Sequence, residues 1–590
     1  MDATAAPPKG PQANGDEDRE FGPDKLRYLG SFHKTLPHNQ YGEVDPAAYA
    51  AFRAIAQDSN APDAGDFEEV DAGPLDFAPH QAALTCQQKP ARADRLVSPQ
   101  AGRARETSGP DPRDVDMLPP PGVLSDSTAA EMTELYWMAL LRDVSFDLLA
   151  DPENAATVLS DLAPAFQRAL DNDGSGGRLR LGLDLPKGAD GKLALTPQTL
   201  FRCGLPGEDK GPIVSQFFLH DVQYGTQTIK QHQFPYRAGR DYLTDHKAWL
   251  LAQNSGYDTH CLPYPNANSY FHDKLVFDDP VGGEPAPRQF RVRNMRDLAR
   301  FVHKDALHQA YFNAALLLLQ WGAPLDEGNP YNGLYKRQRG FATLGGPHIL
   351  TQVSEVASRA LKAVWRQKWL VHRRLRPEAY GGLVQMQKLG YEGAKREYGL
   401  PAWVSETQAA QAVRNKHGAC FLPLAFTSGS PAHPAYGAGH ATVAGACVTM
   451  LKAWFKDDEP VKGRIEAAVH PDTLLPLKVL QPKETPDDVL PEYTGADAGA
   501  MTVGGELNKI ACNVAMGRSM GGVHWRTDNT RSLRLGEQIA TVMLKRQSKD
   551  YAEKPFRLAY RSFDGLQVTV ENGAVSVPGD PALEAFYAPF

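Results

Sequence analysis

The sequence predicts an all-α fold, and three observations lead to that prediction. Apolar residues recur at spacings of mostly three and four along several long stretches, which is the period of a helix that buries one face. The clearest alternation lies at 567–577, where two short runs flank Asn572-Gly573 and predict a minor β-hairpin. The chain also holds 46 proline and 52 glycine residues, which indicate many or long loops between the helices.

Start and stop residues support the individual helices. Ser127 is a suitable cap for the first helix, Gly346-Pro347 opens a later one, and Arg376-Pro377 closes it. The predicted helices are Ser127–Leu149, Glu153–Leu170, Tyr236–Asn254, Met295–Trp321, Pro347–His372, His440–Phe455, Gly505–Gly517 and Thr527–Lys545.

Composition excludes several classes of protein. The net charge of −7 over 590 residues argues against a nucleic-acid-binding protein. The longest apolar run, Leu135–Leu141, is far shorter than the roughly 20 residues of a membrane span. The six cysteines include no C-x-x-C pair, so neither a disulfide scaffold nor a cysteine metal site is expected. No secretory signal is visible at the N-terminus, and a cytoplasmic location is the default expectation.

Composition also divides the chain into three parts. Residues 1–20 are polar and rich in Pro, Gly and Asp, and are expected to form a disordered tail. Residues 21–125 contain few long periodic segments and are expected to form an extended arm that makes oligomer contacts. Residues 126–590 hold the long helices and are expected to form a helical catalytic domain.

Lys368 and Arg376 belong to a basic stretch at the end of a predicted helix. They are eight positions apart, which on a helix is a rotation of about 80°, so both can point toward one pocket. Complementing the helix dipole is the more common role of a basic helix end.

A second stretch, 430–440, leads directly into an apolar helix. Gly439 lets the backbone approach a ligand, and the first N–H groups of the helix favour an anion there. His440 would stand at the mouth of that site. A purely structural role is the commoner one for an isolated loop histidine.

The third stretch holds Arg518 and His524, six positions apart. An unbroken helix would point them to different sides, but Gly521-Gly522 can break the helix and let them converge. Asp528, four residues after His524, could hold one imidazole nitrogen and leave the other free as a ligand. Exposure of Asp528 to solvent is the alternative. Together the three stretches contain the cations, helix start and histidines that a tetrahedral oxyanion needs.

The ordered pattern K-x7-R-P, then G-H at a helix start, then R-x5-H, resembles the vanadium-dependent haloperoxidases. The segments KAVWRQKWLVHRRLRPEAYGGL, SPAHPAYGAGHA and GRSMGGVHWRTD are similar to those of red-algal bromoperoxidases and their cyanobacterial and bacterial relatives, as is FHKTLPHNQYGEVDPAAY. The resemblance covers most of 30–590. It implies two four-helix bundles in one body, a vanadate cofactor (phosphate can occupy the same site) and a homo-oligomer, either a dimer or an assembly of dimers.

The resemblance also implies a role for each motif residue. His524 would bond vanadium, and His440 would hydrogen-bond the apical oxygen and accept a proton from hydrogen peroxide. His433 would be a second pocket histidine beside the halide. The equatorial oxygens would be held by Lys368, Arg376, Arg518 and the N–H of Gly439. Lys368 would also make the peroxide electrophilic, and a halide would then be oxidised to hypohalous acid that halogenates a small organic acceptor.

Three positions depart from the family pattern. Ala438 stands where a serine is usual, so one hydrogen bond to the oxyanion is expected to be missing or replaced by water. Fungal chloroperoxidases carry tryptophan at the position that matches Trp365. Chloride is therefore a second candidate halide beside bromide. The loop 329–339 has three cations and no carboxylate, so calcium is not expected there.

Two alternative functions remain open on the sequence. A related signature occurs in acid phosphatases, where His524 would attack phosphorus and His440 would protonate the leaving group. A non-catalytic oligomeric oxyanion-binding protein is the other alternative, and Ala438 is its support.

Overall fold

The computed structural model describes residues 13–57, 65–73, 93–107, 109–173, 185, 193–264, 289–485 and 488–590. The described chain is mostly helical, as predicted. Its helices are α1 (Pro46–Gln57), α2 (Gly65–Glu68), α3 (Asp126–Leu140), α4 (Phe146–Leu149), α5 (Pro152–Asn172), α6 (His246–Ser255), α7 (Met295–Lys304), α8 (Gln309–Gln320), α9 (Gly346–Arg366), α10 (Pro377–Lys388), α11 (Gln408–His417), α12 (Gly439–Trp454), α13 (Val461–Ala467), α14 (Val503–Met520), α15 (Arg526–Asp550) and α16 (Pro581–Tyr587).

Within the described ranges, short strands form three small antiparallel sheets. Two are pairs, and the third is the hairpin predicted at 567–577 with one further strand added to it. The strands are β1 (Glu20–Phe21), β2 (Leu26–Arg27), β3 (Val222–Tyr224), β4 (Gln227–Ile229), β5 (Arg557–Arg561), β6 (Gln567–Glu571) and β7 (Ala574–Ser576).

Helix α12 is the centre of the main bundle, where it packs against α9, α14 and α15. Glycines permit the closest of these approaches. A Cβ atom on Gly445 of α12 would lie 2.0 Å from the carbonyl oxygen of Leu533, and one on Gly536 of α15 would lie 2.1 Å from that of Thr442. A second group, α3, α5 and α11, packs together beside α14. Among the described residues, no helix combines the length and apolar character that crossing a membrane requires.

The structure corrects the expected tail. Residues 1–12 lie outside the described residues, but 13–20 are folded and contain a 3-10 helix at Asp16–Asp18. Asp16 is buried and accepts a hydrogen bond from the backbone N–H of Val123. Glu17 makes two hydrogen bonds to the guanidinium of Arg373. These buried polar contacts fix the segment, which composition alone does not reveal.

The described parts of the arm pack on their own chain. Phe32, Phe52 and Phe67 surround the buried indole of Trp369 with ring centroids 5.8–6.2 Å away. Lys34 is buried and donates hydrogen bonds to Glu378 and to two backbone carbonyls of the 428–430 loop. The oligomer contacts expected of the arm stay a prediction.

Several helix predictions were wrong in detail. The helix expected at Met295–Trp321 is two helices, because the chain is extended at Asp305. The helix expected at Ser127–Leu149 divides into α3 and α4, and the segment Tyr236–Asn254 is helical only from His246. Helices α1, α10 and α11 were not predicted. Cys261 is disulfide-bonded, whereas Cys203, Cys420, Cys447 and Cys512 are free and buried.

Candidate active site

A π-helix at Gln367–His372 positions Lys368. It continues from α9 and ends at Arg373, whose left-handed φ of 37° turns the chain toward Arg376 at the start of α10. The unbroken helix used to relate Lys368 and Arg376 was therefore wrong. The two side chains nevertheless meet the same loop, because Lys368 donates to the carbonyl of Pro434 and Arg376 to that of His433.

Arg376 connects two of the three motifs. Its guanidinium donates to the carbonyl of Val523, to the ring of His433 at 2.9 Å and to Nε2 of His524 at 3.1 Å. It is fully buried, and its hydrogen-bond partners among the described residues are carbonyl oxygens and histidine rings. Arg376 thus places both histidines around one charged group.

His524 lies in the turn between α14 and α15. Gly521 ends α14 and Gly522 adopts a φ of 85°, so the break predicted at these glycines is confirmed. Nδ1 of His524 lies 2.9 Å from Oδ2 of Asp528. The carboxylate accepts the Nδ1 proton, which leaves Nε2 with the lone pair that accepts the hydrogen bond from Arg376.

Asp528 is fully buried, so the solvent-exposed alternative was wrong. Its second oxygen is 2.8 Å from the guanidinium of Arg374. Arg374 is held in turn by Glu131 of α3, which also accepts the backbone N–H and hydroxyl of Thr527. This charged network fixes the carboxylate that orients His524.

Arg518, in the last turn of α14, approaches from another side. It donates to the carbonyl of Val302 and to the hydroxyl of Tyr264. Its Nε is buried and has no hydrogen-bond partner among the described residues. A buried N–H of a guanidinium without an acceptor is costly, and an oxygen atom of a bound ligand would satisfy it.

Helix α12 begins at Gly439, one residue before the predicted start at His440. Ala438 is its N-cap and is fully buried, and its N–H donates to the hydroxyl of Ser532. The N–H groups of Gly439 and His440 lie in the first turn, where a helix offers donors without internal acceptors. A Cβ on Gly439 would lie 3.1 Å from the ring of Trp365, so glycine keeps this approach open.

His440 pairs with a residue that the sequence did not single out. Its Nε2 lies 3.0 Å from Oδ1 of Asp305, whose side chain is buried between α7 and α8. The carboxylate accepts the Nε2 proton, so Nδ1 is the nitrogen that carries a lone pair.

Trp365 and His433 form an aromatic wall beside Lys368. Their ring centroids are 5.1 Å apart, and the ammonium of Lys368 lies 5.6 Å from the Trp365 ring centre. The arm supports this wall, because the carbonyl of Val97 accepts the indole N–H of Trp365.

Several cationic side chains lie close together in the pocket and repel one another. Burial and then repulsion from Arg376 hold the pKa of Lys368 well below its usual range. Burial and Arg518 lower the pKa of Arg376 to about 9. Burial and the same cations hold the pKa of His524 and His433 well below the ordinary imidazole value. A bound anion would relieve this repulsion.

Sequence reasoning missed the residues that hold the motifs in place. Asp305 lay inside a predicted helix, and Arg374 was only one of several cations in its motif. Glu131 and Tyr264 lie far away in sequence, and no spacing linked them to the site.

In loop 329–339, the Asn329 side-chain oxygen accepts the N–H of Tyr331. The expected lack of calcium there stays a prediction.

Comparisons with known proteins show the family to which the chain belongs. Residues 348–553, which contain all three motifs, match the protein family described as VCPO second helical-bundle domain. The vanadium-dependent bromoperoxidases of Corallina pilulifera and Corallina officinalis are each 32% identical over 616 aligned positions, which cover 95% of this chain and 94% of theirs. That of Ascophyllum nodosum is 31% identical, with 93% and 88% covered.

A solved structure has the same fold over almost the whole chain. The homohexameric second vanadate-dependent bromoperoxidase of Ascophyllum nodosum superposes with a TM-score of 0.72 at 27% identity. The match covers 96% of this chain and 88% of that one.

Proposed function

Because the chain belongs to the vanadium-dependent haloperoxidase family, we propose that it holds vanadate and uses hydrogen peroxide to oxidise bromide. The product is hypobromous acid, which halogenates small organic acceptors. The observation that carries the proposal is the convergence of buried Lys368, Arg376 and Arg518 around His524, whose Nε2 carries no hydrogen.

The residues present fit a tetrahedral oxyanion. Arg518 Nε needs an acceptor, and the mutually repelling cations need a negative charge. Guanidinium groups suit such oxygens because their donors are forked and always charged. Phosphate has the same shape and charge pattern, and we expect it to compete for the site.

Vanadate, when bound, supplies a Lewis acid that activates hydrogen peroxide for a two-electron oxidation of halide. The residues of this chain supply the groups that hold the vanadate. Lys368, Arg376 and Arg518 hold the oxygens, the Gly439 N–H adds a backbone donor, and His524 offers Nε2 as the nitrogen ligand. Asp528 keeps that nitrogen unprotonated by accepting the proton on Nδ1.

His440 is the proton acceptor in this account. Asp305 accepts the Nε2–H of His440, which fixes the ring and leaves Nδ1 basic. We assign Nδ1 to the removal of a proton from hydrogen peroxide. Lys368 stabilises the negative charge that develops on the peroxide oxygens.

The halide is assigned to the wall formed by Trp365 and His433, over which Lys368 adds positive charge. Bromide is the proposed halide, and Trp365 makes chloride the second one to test. Initial rates with each halide at one fixed peroxide concentration give the preference directly. A higher kcat/KM for chloride than for bromide would contradict the assignment.

We also propose that the protein is a homo-oligomer, because the solved relative that matches 96% of this chain is homohexameric. Light scattering of the purified protein is expected to give a mass that is a multiple of the 64.5 kDa chain. A monomeric mass at micromolar concentration would contradict this.

The activity is tested by reconstituting purified protein with orthovanadate, hydrogen peroxide and bromide. We expect bromide oxidation that depends on all three additions and that falls as phosphate is added. Hydrolysis of a phosphate ester is measured on the same sample without vanadate. Ester hydrolysis without any halide oxidation would favour the phosphatase alternative and overturn the proposal.

A further inference from the structure

The hydroxyl of Tyr264 lies beside Arg518 at the candidate active site. Nη2 of Arg518 donates a hydrogen bond to the Tyr264 oxygen at 2.9 Å. The guanidinium carbon of Arg518 is 5.9 Å from the ring centre of Tyr264 and 5.9 Å from that of Phe426. Arg518 is therefore packed beside two aromatic rings, and one of them presents a polar group to it.

Tyr264 is held in place by its own neighbours. It is buried, with its ring centre 4.6 Å from that of His303 and 6.0 Å from that of Phe426. His303 in turn stacks on Phe426 with the centroids 4.1 Å apart. Because closely packed side chains keep one rotamer, the Tyr264 hydroxyl stays next to Arg518.

The hydrogen of the Tyr264 hydroxyl is not used within the described part of the chain. A phenol both accepts and donates hydrogen bonds, and here the oxygen accepts from Arg518 while its hydrogen has no acceptor among the described residues. Burial raises the pKa of Tyr264, although the charges of Arg518 and Arg376 act to lower it. The hydroxyl therefore keeps its hydrogen at neutral pH. A buried O–H without an acceptor is costly.

Two further polar atoms around Tyr264 are unsatisfied. Nε of Arg518 and Nε2 of His303 are both buried and have no hydrogen-bond partner within the described ranges. The Arg518 side chain carries one of these atoms and also contacts the Tyr264 hydroxyl. An anion with several oxygens would accept from Arg518 Nε and from the Tyr264 O–H together, since each oxygen has more than one lone pair.

We propose that the Tyr264 hydroxyl donates a hydrogen bond to the bound oxyanion and is a further binding residue of this site. The inference rests on the proposed function for the identity of the anion, which is vanadate or its competitor phosphate. A neutral O–H holds an oxygen without adding to the repulsion among Lys368, Arg376 and Arg518. The site would thus have a side-chain hydroxyl even though Ala438 supplies none.

Calorimetric titration with orthovanadate, and separately with inorganic phosphate, tests this donor without peroxide or halide. Tyr264→Phe keeps the ring and removes the hydroxyl. We expect it to bind both anions about 10- to 100-fold more weakly than the wild type, because a hydrogen bond to a charged group is lost. Wild-type affinity of Tyr264→Phe for both anions would overturn the proposal.

Tyr560→Phe is the matched control. Its hydroxyl is also buried and contacts that of Thr541 at 2.6 Å. The Tyr560 ring lies near Lys452, at the opposite end of α12 from Gly439. This variant should bind both anions as the wild type does, and a loss equal to that of Tyr264→Phe would overturn the proposal.

A crystal structure of the wild-type protein with orthovanadate or phosphate bound separates direct contact from an effect through Arg518. We expect the Tyr264 oxygen within about 3.0 Å of an oxygen of the anion. Weaker binding by Tyr264→Phe, with the wild-type hydroxyl out of hydrogen-bond reach of the anion, would overturn the direct contact.

Bromide oxidation by the vanadate-loaded wild-type protein reports the proposed function separately. Wild-type anion affinity in Tyr264→Phe, with bromide oxidation intact in the wild type, would remove only the role of Tyr264. Anion binding that depends on the Tyr264 hydroxyl, without bromide oxidation, would support the donor and remove the haloperoxidase function.

Discussion

His524 combines burial with a ring nitrogen that stays available to a ligand. The spacing to Asp528 predicted their contact, because residues four apart lie on one helix face. The spacing could not predict that Asp528 is held by Arg374, or that Arg374 is held by Glu131, since those two contacts span 154 and 243 positions. The sequence therefore predicted the contact between His524 and Asp528. The contacts that hold Asp528 in place depend on the tertiary fold and could not be predicted.

Asp528→Asn tests the orientation of His524. The neutral amide gives the Nδ1 proton of His524 no charged acceptor, and Arg374 loses one of its two carboxylate partners. We expect vanadate affinity to fall about 10- to 100-fold, the usual cost of losing a carboxylate behind a metal-ligating histidine. Vanadate titration of bromide oxidation measures this. Asp564→Asn, which alters a surface pair with Arg534, is the control, and equal effects would contradict the role.

Asp305→Asn tests the proton acceptor. Without the carboxylate, the proton of the neutral His440 ring is no longer held on Nε2. It can move to Nδ1, and that tautomer cannot accept a proton at Nδ1. We expect kcat/KM for hydrogen peroxide to fall about 10- to 100-fold, less than the roughly 100- to 10,000-fold that a general base itself contributes, because His440 stays in place. Vanadate affinity should stay close to that of the wild type. A loss of vanadate affinity with unchanged peroxide kinetics would contradict the assignment.

Among the elements that the sequence failed to predict, the π-helix and the arm bear most directly on the site. Apolar periodicity predicted helix from Pro347 to His372, and most of that length is helical. The change to a π-helix at Gln367 leaves little trace in apolar spacing, yet it sets the direction of Lys368. The arm has few periodic segments because its residues are fixed by contacts with the body and not by a helix face of their own.

Phe52→Ala tests whether the arm supports the π-helix. Phe52 is fully buried against Trp369, so its loss should cost about 3–5 kcal/mol of packing free energy. We expect faster amide hydrogen exchange in 367–372 and lower bromide oxidation. The control is Phe341→Ala, because the Phe341 side chain is 68% exposed. Unchanged exchange in 367–372 would contradict the supporting role.

Asp16, in the N-terminal 3-10 helix, makes the folding stability of the protein depend on pH. Burial raises its pKa to about 6, against 3.8 for an ordinary aspartate. The folded state therefore retains this proton between about pH 4 and pH 6, and stability falls as pH rises through that window. The cost at pH 7 is at most about 3 kcal/mol.

Asp16→Asn removes that titration while keeping an acceptor for the Val123 N–H. We expect the variant to match the wild type in Tm near pH 4 and to exceed it at pH 7. Asp458→Asn changes a side chain that is 77% exposed and should track the wild type at every pH. A Tm difference for Asp16→Asn that does not change with pH would contradict this account.

At the scale of the whole molecule, one body carries all parts of the site. The sequence predicted this, because motifs at Lys368 and His524 can form one pocket only if the intervening residues fold together. The described helices confirm it, since α9, α14 and α15 all pack against α12. The partner residues Asp305, Glu131 and Tyr264 could not be predicted, because each reaches the site only through long-range packing of a different segment.

The central claim is that His524 Nε2 holds vanadate in this pocket. The most direct test is an orthovanadate titration of bromide oxidation by wild-type protein and by His524→Ala, at fixed peroxide and with circular dichroism to verify the fold. We predict saturable, vanadate-dependent activity in the wild type and none in the folded variant at the same vanadate concentrations. A folded His524→Ala protein that reached wild-type activity with wild-type vanadate affinity would contradict the claim.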